Sequence, residues 1–165
     1  MKQLELFAQP SARQSLQETP NMWELYVDGA ARNNPGPAGA GIYILKNGEP
    51  VVREGFYLGS KTNNQAEYLA LIIALVIVTD RMEPEDTISI VSDSELLVKQ
   101  IQGSYKVRQP ELQKLHAQAL RLLEPLYYHI RHVLRENNPV ADELANHGID
   151  KKNPLPAAVA AKVAL

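Results

Sequence analysis

Four acidic residues stand where the surrounding pattern calls for apolar or purely structural side chains. Asp28 closes the strand-forming run Trp23-Glu24-Leu25-Tyr26-Val27, and Asp93 closes a second such run, Thr87–Ser92. Glu67 falls in the first turns of an otherwise apolar helix, on the side of Ala70, Leu71 and Ala74, where a charge needs a partner or a metal. Asp142 opens the last helical segment beside Ala141 and Ala145. Each has a plain structural reading as well. Asp28-Gly29 suits a turn, Glu67 and Asp142 complement helix N-termini, and Ser92-Asp93-Ser94-Glu95 fits a capping box. Brought together, four carboxylates repel one another and raise at least one pKa unless cations neutralise them. The chain has no cysteine, which removes thiolate zinc sites, iron–sulfur clusters and a thiol nucleophile. Oxygen-only ligation suits Mg²⁺ or Mn²⁺, and two such ions about 3.5–4 Å apart clamp the attacking and leaving oxygens of a phosphodiester. These residue types therefore point to a metal-dependent nuclease.

The elements that must position these acids can be read from periodicity. Residues 22–28 form a strand, Gly29–Gly41 is a turn-rich connection, and Gly41–Lys46 and Pro50–Leu58 are two strands joined by the tight-turn dipeptide Asn47-Gly48. Thr62–Asp80 is a helix capped by Thr62, Asn63 or Asn64, with a body apolar enough to be buried against a sheet. Thr87–Ser92 alternates as a strand, and Ser94–Gln102 is a short helix ending at Gly103. Pro110–Leu123 is an amphipathic helix, Leu126–Leu134 a strand, and Pro139–His147 a last helix started by Asn138 and stopped by Gly148. The order βββαβααβα predicts an α/β fold with a five-stranded mixed sheet flanked by helices, antiparallel at one edge and parallel at the other. In such sheets polar groups gather at the carboxyl ends of the parallel strands, where Asp28 and Asp93 lie.

At 165 residues, 45% hydrophobic and 22% charged, the chain can bury a full core and is not a disordered polymer. Its net charge of −2 excludes a strongly cationic surface that coats nucleic acid without discrimination. The longest apolar run, Tyr68–Val78, is too short to span a bilayer, which needs about 20 residues, and no secretory signal is visible, so a cytoplasmic location and no membrane partner are expected. Three regions are expected: a flexible N-terminal arm (1–21), a catalytic domain (22–148) and a C-terminal tail (149–165) that is either a docking helix or frayed.

Four segments carry a family resemblance. Tyr26-Val27-Asp28-Gly29-Ala30 with Asn34–Gly39, Thr62-Asn63-Asn64-Gln65-Ala66-Glu67, Ser92-Asp93-Ser94 and Ala141-Asp142-Glu143-Leu144-Ala145 resemble the motifs of type 1 ribonuclease H. The resemblance implies the ribonuclease H-like fold and endonucleolytic cleavage of the RNA strand of RNA–DNA hybrids, leaving 5′-phosphate and 3′-hydroxyl ends. It implies that Asp28, Glu67, Asp93 and Asp142 hold two Mg²⁺ ions, with Mn²⁺ as a substitute. It also implies that Asn34, Asn63 and Asn64 read the minor groove, where an amide can recognise the 2′-hydroxyl, while Thr62 grips a DNA phosphate. N-capping and turn chemistry are compatible roles for the same residues.

Two features depart from the best-known bacterial members. The long basic protrusion is replaced by Gly103–Gln109, so that Lys106 and Arg108, with Lys99, Tyr105 and Lys114, would form only a reduced phosphate-binding patch. In place of a loop histidine before the last acid, Arg135 sits in the loop while His132 stays on the strand. Arg135 is thus favoured as the group that assists at the scissile phosphate, although its permanent charge bars it from shuttling protons. Histidines 129 and 132 face opposite sides of a strand and make no zinc site, and His116 and His147 are read as surface residues. Near the N-terminus, Gln3, Leu4, Leu6 and Phe7 resemble the short motif that binds the sliding clamp; an edge strand or a fold-back is the alternative. The chain is otherwise expected to act as a monomer. Competing functions are a non-cleaving hybrid-binding module, disfavoured by the complete acid quartet, and a junction resolvase or integrase core, disfavoured by the asparagine-rich Thr62–Asn64.

Overall fold

The structure, a computed structural model, describes residues 19–163. The clamp-like residues Gln3, Leu4, Leu6 and Phe7 lie outside the described residues. Strands β1 (Met22–Ala31), β2 (Gly36–Lys46) and β3 (Glu49–Lys61) are followed by helix α1 (Asn63–Thr79), strand β4 (Thr87–Ser92), helices α2 (Glu95–Ile101) and α3 (Pro110–Leu123), strand β5 (Tyr127–His132), and helices α4 (Pro139–Lys151) and α5 (Ala157–Ala160). A 3₁₀ turn at Arg135–Asn137 links β5 to α4. The sheet order is β3-β2-β1-β4-β5. Pairs β1–β2 and β2–β3 are antiparallel, and β1–β4 and β4–β5 are parallel, as the element order requires.

Strand alternation decides which helix covers which face. Leu25, Val27 and Gly29 share one face with their partners Ile44, Ile42 and Ala40, and α1 covers it with its nearly all-buried body. The opposite face carries Asp28 beside Gly41, and there α4 lies so close that a Cβ on Gly41 would stand 1.9 Å from the Ala141 carbonyl oxygen. The stretch read as a turn-rich connection is therefore mostly strand. Only Arg32–Pro35 links β1 to β2, because the glycines serve close helix–sheet contact rather than turning. The same contact corrects the end of α4: Gly148 does not stop the helix, which runs on to Lys151 and ends at Lys152 in the left-handed region. A Cβ at Gly148 would lie 2.6 Å from the backbone nitrogen of Phe56.

Local signals elsewhere hold. Asn47 and Gly48 both have positive φ, as a tight hairpin turn requires. Thr62 is the cap of α1: its hydroxyl accepts from Gln65 N at 3.1 Å while Gln65 Oε1 accepts from Thr62 N at 2.9 Å, a reciprocal capping box. Helix α3 has the bounds that its apolar period predicts. Residues 153–163 dock: Asn153 accepts from Tyr57 N at 2.7 Å and donates to the Gly55 carbonyl at 2.7 Å, and Val163 is buried. His116 departs from its surface reading. It is half-buried, bonded to the Gln100 carbonyl at 3.2 Å and set edge-on to Tyr68, whose hydroxyl donates to Gln100 Oε1 at 2.7 Å. No helix among the described residues is long and apolar enough to cross a membrane.

Candidate active site

The site begins where β4 ends and β1 continues. Their parallel pairing stops at Val27–Ser92, so Asp28 and Asp93 leave the shared ladder side by side. The third acid is delivered by contact between backbones. A Cβ on Gly29 would fall 2.2 Å from the Ala66 carbonyl carbon, so only glycine lets β1 approach α1 here, and the Gly29 N–H donates to Glu67 Oε1 at 2.8 Å. One carboxylate oxygen from each of Asp28, Glu67 and Asp93 then lies within 4.8 Å of the others.

Asp142 reaches the same cleft from α4 but stands outside that tight group. Its helix is tied to the sheet by Asn138, which is 1% exposed and donates from Nδ2 to the Val27 carbonyl at 2.9 Å. Asn138 is the N-cap residue that starts the helix, as expected, but its side chain makes no cap bond; its amide donates to β1 instead. Asp93 is likewise free of capping duty, because Ser94 Oγ accepts from Leu97 N at 3.2 Å and caps α2 itself.

Electrostatics make the cluster a place for cations. Burial pushes Asp28 up to about 11, with Glu67 and then Asp93 adding repulsion. Burial also raises Glu67 to about 7, against the lowering effect of its bonds with Asp28 and the Gly29 N–H. Without a cation, burial and mutual repulsion favour the protonated form of the pair. Glu67 Oε2 is buried and has no hydrogen-bond partner, and among the described residues no ion pair engages Asp28, Glu67 or Asp93. A buried glutamate with one unpartnered oxygen, in a group of three carboxylates that includes no nitrogen or sulfur donor, fits a hard divalent ion.

The cleft, about 540 Å³ in volume, is lined by Asp28, Glu67, Asp93 and Asp142 together with Asn63, Asn64, Arg32, Arg135 and Asn146. Asn34 and Asn63 are knitted into its rim: Asn34 Oδ1 accepts from Asn63 N at 3.0 Å, and Asn63 Oδ1 accepts from Ala31 N at 2.9 Å. Each of these oxygens accepts one hydrogen bond, and each amide also carries an N–H₂ donor. Arg135, on the 3₁₀ turn, places Nη2 3.3 Å from Asp142 Oδ1, whereas His132 remains on β5 opposite Ser92. Lys106 and Arg108 are exposed on the α2–α3 connection and do not line the acidic cleft. Arg32 went unnoticed in the sequence; it pairs with Asp150 on α4 and holds the β1–β2 loop at the cleft edge. Its basic side chain within the glycine-rich segment was the only signal.

A family model described as reverse transcriptase-like matches residues 26–148. The crystal structure of RNase H1 from Halobacterium salinarum aligns at a TM-score of 0.75 and 39% identity, covering 79% of this chain and 98% of that one. The chain belongs to the type 1 ribonuclease H family. Ribonuclease HI of Halobacterium salinarum is 41% identical over 127 residues, which span 76% of this chain and 63% of that protein. Bifunctional protein Rv2228c of Mycobacterium tuberculosis is 36% identical over 129 residues, and the matched region is 34% of its length. The chain thus spans less than two thirds of these curated relatives. LC11-RNase H1, solved in complex with an RNA/DNA hybrid, aligns at a TM-score of 0.72 and 38% identity, covering 79% of this chain and 97% of that one. In this chain the connection from α2 to α3 is short, residues 102–109.

Proposed function

We infer that this family member is an endoribonuclease that cleaves the RNA strand of RNA–DNA hybrids with two Mg²⁺ ions, for which Mn²⁺ can substitute, leaving 5′-phosphate and 3′-hydroxyl ends. The observation that carries the reading is the convergence of Asp28, Glu67 and Asp93, with one oxygen of Glu67 buried and unpartnered, beside the asparagines of the rim. When bound, the ions supply Lewis acidity for water attack and charge neutralisation for the departing 3′ oxygen.

The residues divide the rest of the work. Asp28, Glu67 and Asp93, with Asp142 beside them, form the metal-holding set. Asn34 and Asn63 offer donors to the minor groove, which displays base acceptors and, on the RNA strand, 2′-hydroxyls; Asn64 lines the cleft beside them. The Thr62 hydroxyl accepts the cap bond and retains its proton to donate to a DNA phosphate. Arg135 offers a permanently charged group to the scissile phosphate. Lys106 and Arg108 extend phosphate contact along the duplex, outside the acidic cleft. Binding of Gln3, Leu4, Leu6 and Phe7 to a sliding clamp, a cytoplasmic setting and a monomeric state complete the reading. Deleting residues 1–20 and measuring clamp affinity tests the first of these, and unchanged affinity ends it.

The function is tested by incubating labelled RNA–DNA hybrid, duplex DNA, duplex RNA and a four-way junction with the protein and Mg²⁺, with Asp93→Asn alongside. Cleavage confined to the RNA of the hybrid and lost in the variant is expected. Cleavage of the junction, or equal activity in the variant, would overturn the assignment.

A further inference from the structure

Of the four acids, only Asp142 meets a cation: among the described residues the ion pairs are Arg32–Asp150, Arg135–Asp142 and Lys162–Asp80. The other three already stand together and unpaired. We propose that Arg135 and a divalent ion compete for Asp142, so that the triad takes one ion freely while a second, held through Asp142, must displace the guanidinium. The proposal rests on the metal-dependent reading above and concerns the order in which that site fills.

The geometry says which partner moves. Asp142 is held from behind: its backbone nitrogen donates to the Asn138 carbonyl at 3.3 Å, and Asn138 is itself pinned to β1 through the Val27 carbonyl. Its side chain is 29% exposed, against 75% for Arg135, which hangs from a three-residue turn and makes one bond of 3.3 Å. Arg135 is therefore the mobile member. A single exposed ion pair of this kind is weak, so an ion can displace it at modest cost. A phosphodiester entering the cleft offers Arg135 a bidentate partner in exchange, which would release Asp142 at the moment substrate arrives. In this scheme substrate tightens the second ion by freeing Asp142 for it, in addition to any oxygen the phosphodiester itself offers.

The test is calorimetric titration of the hybrid-free protein with Mn²⁺, in the wild type, Arg135→Gln, Asp142→Asn and the double variant. In the wild type one tighter and one weaker event are expected. Arg135→Gln should leave the tighter event unchanged and strengthen the weaker one about 2- to 5-fold, the range that an exposed ion pair supplies. Asp142→Asn should remove the weaker event, and adding Arg135→Gln to it should then change nothing. A weaker event unmoved by Arg135→Gln overturns the proposal. So does an equal gain at both events, or a gain that persists without Asp142, since each would reflect general charge or altered folding. Absence of Mn²⁺ binding in every variant sinks the metal reading as well, whereas hybrid cleavage by the wild type together with unshifted isotherms overturns the competition alone.

Discussion

The Gly29 N–H donates to Glu67 Oε1 at 2.8 Å, and this bond locks the first strand to the main helix at the point where the acids meet. Without it, Glu67 would lose its backbone donor and keep only its contact with Asp28 against the cost of burial. The contact exists only because position 29 has no side chain, so its backbone can lie against Ala66.

Gly29→Ala is accordingly expected to force β1 and α1 apart, since the new methyl would sit 2.2 Å from a backbone carbon that has no rotamer to yield. Overpacking of this kind costs about 1–3 kcal/mol. Urea unfolding should show the loss, and Mn²⁺ affinity at the triad should fall in the same variant. Unchanged stability would mean that the helix slides without cost.

Metal-free stability should decline as pH rises from about 4 through 7. Burial raises Asp28 from 3.8 to about 11 and Glu67 from 4.5 to about 7, so the folded chain binds protons more tightly than the unfolded one throughout that window. The contribution of this pair is therefore fullest below the unfolded values and is withdrawn as pH climbs toward the folded ones. Divalent ions replace the protons. The rise in melting temperature on adding millimolar Mg²⁺ should be larger at pH 8 than at pH 6, and thermal melts at the two pH values check it.

Asn34→Ala should weaken hybrid binding about 2- to 10-fold, the scale of one net hydrogen bond, with a smaller effect on kcat. Asn34 Oδ1 also accepts from Asn63 N, so a thermal melt should accompany the titration. A fall in kcat with KM unchanged would remove Asn34 from substrate recognition.

Asp86 governs stability far from the chemistry. Burial works to raise its pKa, yet bonds from Trp23 Nε1, Glu83 N and Asn21 hold it down at about 2. Asp86→Ala leaves the Trp23 indole N–H buried without an acceptor and should cost about 1–3 kcal/mol in urea unfolding. Because this carboxyl is depressed, its contribution is present above about pH 4 and disappears as pH falls toward 2, opposite in sign to the Asp28–Glu67 pair. Cleavage measured below the melting transition should persist.

Short-range grammar determined most of the architecture on its own. The apolar body of α1, the Thr62–Gln65 capping box, the Asn47-Gly48 turn and the Pro110 start of α3 each depend on residues within one or two turns of one another, and such interactions are written in local order. That Asp28 and Asp93 stand side by side where the parallel ladder ends was legible for the same reason, although β1 does not end at Asp28 as read but runs on to Ala31 against β2. Contacts between distant segments were decided by the assembled molecule. Asn138 reaches the Val27 carbonyl across 111 positions, and Asp86 reaches the Trp23 indole across 63; no period links such pairs. Gly41 and Gly148 look like breakers in the chain and prove to be places where helix and sheet backbones touch. The sequence could name four acids, but the division into a compact trio and a fourth already facing Arg135 depends on how α4 lies across the sheet. That angle is set by packing between backbones and leaves no mark in local order.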